Sequence, residues 1–74
     1  MTSDEVKARI EAGIPGATAT VEDMTGTGDH FAAVVVAPGF EGKSLMQMHR
    51  MVYAALGDLM KGPIHALKLE TRHA

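Results

Sequence analysis

The chain has 74 residues, a formal charge of −2 and no cysteine, so it is read as one small domain over residues 1–74, without disulfides and without a thiolate of its own for catalysis or metal binding. The acidic balance argues against a nucleic-acid surface, which usually shows a basic excess. The longest apolar run, Phe31 to Pro38, is far too short to span a bilayer, and the N-terminal Thr-Ser-Asp-Glu lacks the features of a signal or transit peptide, so a cytoplasmic protein with no membrane contact is expected.

Thr2 can cap a first helix, with Glu5 completing a capping box and Val6 and Ile10 marking the buried side. Gly13 is expected to end that helix, and Pro15-Gly16 to turn the chain. Ala17 to Met24 alternates, with Ala19 and Val21 on one side and Thr20 and Glu22 on the other, which predicts a strand with one wet face. Thr25-Gly26-Thr27-Gly28-Asp29 is a turn cluster that suits a hairpin. His30 to Ala37 follows as a second strand, and three consecutive valines, Val34 to Val36, predict a central strand buried on both faces.

After Pro38-Gly39 and a short connector comes the main helix, predicted from Ser44 to about Lys61. Ser44 and Gln47 have capping-box spacing, and Leu45, Met48, Val52, Ala55, Leu56 and Leu59 form an apolar stripe at helical period. Gly62-Pro63 is expected to stop it. Ile64 to Thr71 reads as a third strand, with His65, Leu67 and Leu69 on one face. The order helix-strand-strand-helix-strand makes the first strand pair antiparallel and the last pair parallel. The result is an α+β fold with a three-stranded mixed sheet and both helices on one face.

The chemistry-bearing residues are few. His30 opens the second strand, His65 the third; His49 lies on the main helix, and His73 is placed in a frayed tail. For His65 the bland alternative is a half-buried imidazole bonded to main chain. There is no G-x-S-x-G elbow, no HExxH and no P-loop, so an enzyme is not expected. Gly39-Phe-Glu-Gly42 has the G-x-x-G form of nucleic-acid-clamping loops, but Glu41 opposes phosphate and Gly13-Ile-Pro-Gly16 repeats the form by chance. Lys43, His49 and Arg50 make the one plausible basic patch.

Four motifs then point to a family. Gly28-Asp-His-Phe31, Phe40-Glu-Gly-Lys43, His49-Arg-Met-Val-Tyr53 and Ile64-His-Ala-Leu67 occur in the order and at the spacing that resemble the BolA family, covering residues from about 5 to 71. The resemblance implies the class II KH-like fold, in agreement with the element order above. It also implies partnership with a monothiol glutaredoxin carrying a Cys-Gly-Phe-Ser motif. The pair would share a [2Fe-2S] cluster, with glutathione and the glutaredoxin supplying thiolates and this chain supplying histidine. The family's C-terminal histidine corresponds to His65. Where many relatives carry a cysteine or histidine in the hairpin loop, this chain has Thr27, a poor iron ligand, and His30 is the nearby substitute. The alternative function implied for the family is transcriptional regulation through DNA, here through Lys43, His49 and Arg50. Met48-His49-Arg50 replaces the Arg-His-Arg of many relatives, which removes one cation from that surface. The isolated chain is expected to be a monomer.

Overall fold

The computed structural model describes residues 1–73. Its elements are α1 (Ser3–Gly13), β1 (Thr18–Asp23), β2 (His30–Ala37), a 3₁₀ turn (Pro38–Phe40), α2 (Leu45–Leu56), a second 3₁₀ turn (Gly57–Lys61) and β3 (Ala66–His73). The sheet order is β1-β2-β3, with β1 antiparallel to β2 and β2 parallel to β3. This is the expected mixed sheet with β2 in the centre.

Both capping boxes form. The Thr2 hydroxyl accepts from the Glu5 amide at 3.2 Å while the Glu5 carboxylate accepts from the Thr2 amide at 3.2 Å. Ser44 and Gln47 repeat the arrangement at the start of α2, at 3.1 and 2.9 Å. Each reciprocal pair satisfies two amides that a helix start would otherwise leave without partners.

One layer of helices covers one face of the sheet. Val6 and Ile10 of α1, and Val52 and Leu56 of α2, join Phe31 and Val35 of β2 in a single core. Phe31, Phe40 and these aliphatic side chains are essentially inaccessible to solvent. Burying a side chain of that size stabilises the fold by about 1.5–3 kcal/mol.

Four expectations need correction. The valine run is not buried on both faces: burial alternates strictly along β2, because no second layer covers the far side of the sheet. The main helix is shorter than its apolar stripe suggests. It ends at Leu56, where Gly57 takes φ = +55°, and the chain continues as a 3₁₀ turn that keeps Leu59 against the core. Leu45, at the head of the stripe, is exposed. The third strand lies two residues further along than predicted, so His65 precedes it, and His73 pairs in register with Ala37 instead of fraying.

Gly13 ends the first helix as expected. It does not adopt positive φ. Its function is close approach: a Cβ built there would lie 2.5 Å from the Cβ of Ala55 on α2. The two helices cross at these small residues.

Candidate metal-ligand site

The site follows from the parallel pairing of β2 and β3, which puts the starts of both strands at one end of the sheet. Register aligns His30 with Ala66, so the chain just before each strand also meets. The Asp29 carbonyl accepts from the amides of His65 at 2.8 Å and Ala66 at 3.3 Å, and the Met24 amide donates to the His30 carbonyl at 2.8 Å. Main-chain bonds on both sides thus fix where His30 and His65 leave the backbone.

Their imidazoles meet edge to face, with ring centroids 6.0 Å apart and an interplanar angle of 61°. Neither ring is sealed in the core: the side chains are 40% exposed for His30 and 66% for His65. The bland alternative for His65, an imidazole engaged by main chain, does not describe it.

Asp29 lies between the two rings. The Nδ1 of His30 is 2.8 Å from Asp29 Oδ1, and the Nδ1 of His65 is 3.9 Å from Asp29 Oδ2. The Thr27 hydroxyl also donates to Asp29 Oδ1. This hydrogen bond, and after it the bond from His30, holds the Asp29 carboxyl below its usual range. Asp29 was legible only as a turn residue, although it sits directly before a histidine in the Gly28-Asp-His-Phe31 motif.

The hairpin loop that presents Thr27 is itself knitted together by Asp23. Its Oδ1 accepts from the amides of Thr25 at 3.2 Å and Gly26 at 2.9 Å, and its Oδ2 accepts from Gly28 at 2.9 Å. Gly26 and Gly28 both take positive φ, as the turn cluster predicts. Thr25 and Thr27 hydroxyls are 2.5 Å apart; with Thr27 donating to Asp29, Thr25 donates to Thr27.

Chemically, the arrangement offers two accessible imidazoles and one carboxylate that is hydrogen-bonded to His30 and lies 3.9 Å from His65. Among the described residues no group of three or more His, Cys, Asp or Glu side chains is placed to hold a metal ion unaided. The donor set fits an iron centre that receives its remaining ligands, thiolates included, from another molecule.

The second set of sequence candidates lies on α2. Lys43 and Arg50 are exposed and line a shallow depression with Gln47 and Met51. His49 does not join them fully: its Nε2 is shielded from solvent and has no hydrogen-bond partner. Among the described residues no helix is long and apolar enough to cross a membrane.

The fold defines a class: small αββαβ domains with a three-stranded mixed sheet and both helices on one face. Residues 7–74 match the family model for "BolA-like protein", and the chain belongs to that family. It is 47% identical to "BolA-like protein 1" of Homo sapiens over 47 residues, which is 64% of this chain and 34% of that protein. It thus spans about a third of the mammalian relatives it matches. It is 37% identical over 46 residues to "DNA-binding transcriptional regulator BolA" of Escherichia coli, 62% of this chain and 44% of that one. Among solved structures, a bolA protein homologue from Coxiella burnetii superposes with a TM-score of 0.84 at 41% identity, covering 100% of this chain and 91% of that one. The BolA domain of SufE1 from Arabidopsis thaliana superposes with a TM-score of 0.81 at 28% identity, covering 96% and 90%.

Proposed function

We propose that this chain is an adaptor in iron–sulfur or iron homeostasis. It binds a monothiol glutaredoxin and shares a [2Fe-2S] cluster through His65 and His30. The observation that carries the reading is the exposed edge-to-face pair of imidazoles, 6.0 Å between centroids, in a chain with no cysteine. Two nitrogen donors at a surface make half of a coordination shell, and the resemblance supplies a partner whose thiolates make the other half.

His65 and His30 hold the iron as neutral imidazoles. Imidazole in place of thiolate raises the potential of such a cluster, which suits transfer better than permanent storage. The cluster supplies electron-transfer and transferable-iron chemistry when bound. The protein's own residues position two nitrogen donors, keep them at an accessible surface and present the surrounding face to the partner.

The test is to mix the protein with cluster-loaded monothiol glutaredoxin and record visible absorption and circular dichroism. A changed spectrum that His65→Ala abolishes is expected. An unchanged spectrum, or a change fully retained in His65→Ala, overturns the reading.

A second reading, a DNA-binding regulator, draws on the name of the Escherichia coli relative and on the exposed pair Lys43 and Arg50. The net charge of −2 and the shielded Nε2 of His49 leave it with less support. It requires binding that weakens steeply with salt and drops in Arg50→Ala.

A further inference from the structure

We infer that Asp29 is a positioning residue for the imidazole pair: it holds His30 as the Nδ1–H tautomer, with Nε2 left as the metal-facing nitrogen, and does not fix the tautomer of His65. This rests on the reading of His30 and His65 as ligands, but its geometry stands independently of any cluster.

An ionised carboxylate can only accept hydrogen bonds. At 2.8 Å from Asp29 Oδ1, the Nδ1 of His30 must therefore carry the proton and donate it. The neutral ring is then left with a lone pair on Nε2 alone. A metal-binding histidine commonly gives its other ring N–H to a carboxylate in this way, which fixes both tautomer and ring orientation.

The carboxylate is itself oriented. The Thr27 hydroxyl donates to the same Oδ1, and the Thr25 hydroxyl donates to Thr27 in turn. Thr27 thus steadies Asp29, which in turn steadies His30.

The two histidines are not equivalent. The 3.9 Å between His65 Nδ1 and Asp29 Oδ2 is too long for a direct hydrogen bond. His65 is also the more exposed ring, at 66% against 40% for His30. Asp29 therefore fixes His30 and only biases His65.

The experiment uses the protein alone, without iron or partner. Long-range proton–nitrogen correlation spectra of the ¹⁵N-labelled chain, at a pH where both imidazoles are neutral, report which ring nitrogen carries the proton. Wild type is expected to show His30 mainly as the Nδ1–H form and His65 as a mixture. In Asp29→Ala, His30 should revert to the Nε2–H form that an unconstrained neutral histidine side chain prefers, and Thr27→Val should fall between the two. The Asp29 carbonyl that binds His65 and Ala66 is main chain, so side-chain removal leaves that clamp in place. A His30 tautomer that is Nε2–H in wild type, or unchanged in Asp29→Ala, overturns the inference. Because no cluster is involved, that outcome leaves the ligand reading standing. Conversely, absence of cluster binding leaves the tautomer result intact.

Discussion

The imidazoles of His30 and His65 meet edge to face, 6.0 Å between ring centroids, because parallel pairing of β2 and β3 brings the two strand starts to one end of the sheet. Both rings reach solvent, so the pair contributes little to folding. His65→Ala is expected to stay within about 0.5 kcal/mol of wild type in stability, as for other surface substitutions. Denaturant or thermal unfolding checks this. A loss of several kcal/mol would mark His65 as a structural residue and remove the basis for a ligand role.

Gly13 makes a sharper stability prediction. In a helix Ala is preferred to Gly by about 1 kcal/mol. Here the added Cβ would sit 2.5 Å from the Cβ of Ala55 and 3.0 Å from its Cα, and neither atom belongs to a flexible side chain. Overpacking of this kind costs about 1–3 kcal/mol, so the clash outweighs propensity. Gly13→Ala is expected to lower the unfolding temperature, and Gly13→Ala combined with Ala55→Gly to recover much of the loss. Equal stability of Gly13→Ala and wild type would contradict this helix crossing.

Glu11 gives a pH dependence. Its carboxyl is held below the ordinary value of 4.5, first by the hydrogen bond from the Lys7 ammonium and then by the Ala19 amide, which donates at 3.0 Å. A carboxyl depressed in the folded state stabilises the fold above its unfolded pKa and loses that contribution as pH falls through the folded value. Wild type should therefore be more stable than Glu11→Gln at neutral pH, with the gap closing below about pH 4.5. The group is partly exposed, so solvent screening keeps the effect small. A gap that widens on acidification would contradict the sign. Denaturant melts of both proteins between acid and neutral pH measure it.

These cases also show what a single sequence can carry. The capping boxes of Thr2 with Glu5 and Ser44 with Gln47 were legible because they are local: three residues apart, with side chains that can do little else there. The strand directions followed from element order and the crossover rule, whereas the central place of β2 was read from a valine run that is buried on one face only. The end of α2 was not legible, because the apolar stripe runs on to Leu59 and Gly62-Pro63 is a louder signal than Gly57. The 3₁₀ turn keeps Leu59 on the core side, so the pattern survives the change of helix type. His30 and His65 could be named from the sequence, but their approach could not, since it depends on the β2–β3 register. Only part of the role of Asp29 depends on that register: its carbonyl meets His65 and Ala66, distant along the chain, whereas its carboxylate bonds the adjacent His30 and nearby Thr27 and was passed over as a turn residue.

The DNA reading has its own measurement. If Lys43 and Arg50 form a phosphate-contacting surface, affinity for duplex DNA at low salt should fall by about tenfold or more when salt rises from 50 to 200 mM, with a shallower slope in Arg50→Ala. An Arg50→Ala variant that binds as wild type does removes this surface from consideration.

The most direct measurement of the central claim is the nitrogen hyperfine coupling to iron. The protein is labelled with ¹⁵N-histidine, mixed with unlabelled, cluster-loaded monothiol glutaredoxin, reduced, and examined by pulsed electron paramagnetic resonance. The account predicts a ¹⁵N coupling of the strength of directly bound imidazole, lost or diminished in His65→Ala. A reduced cluster with no ¹⁵N coupling, in a sample where the two proteins are shown to be associated, would contradict it.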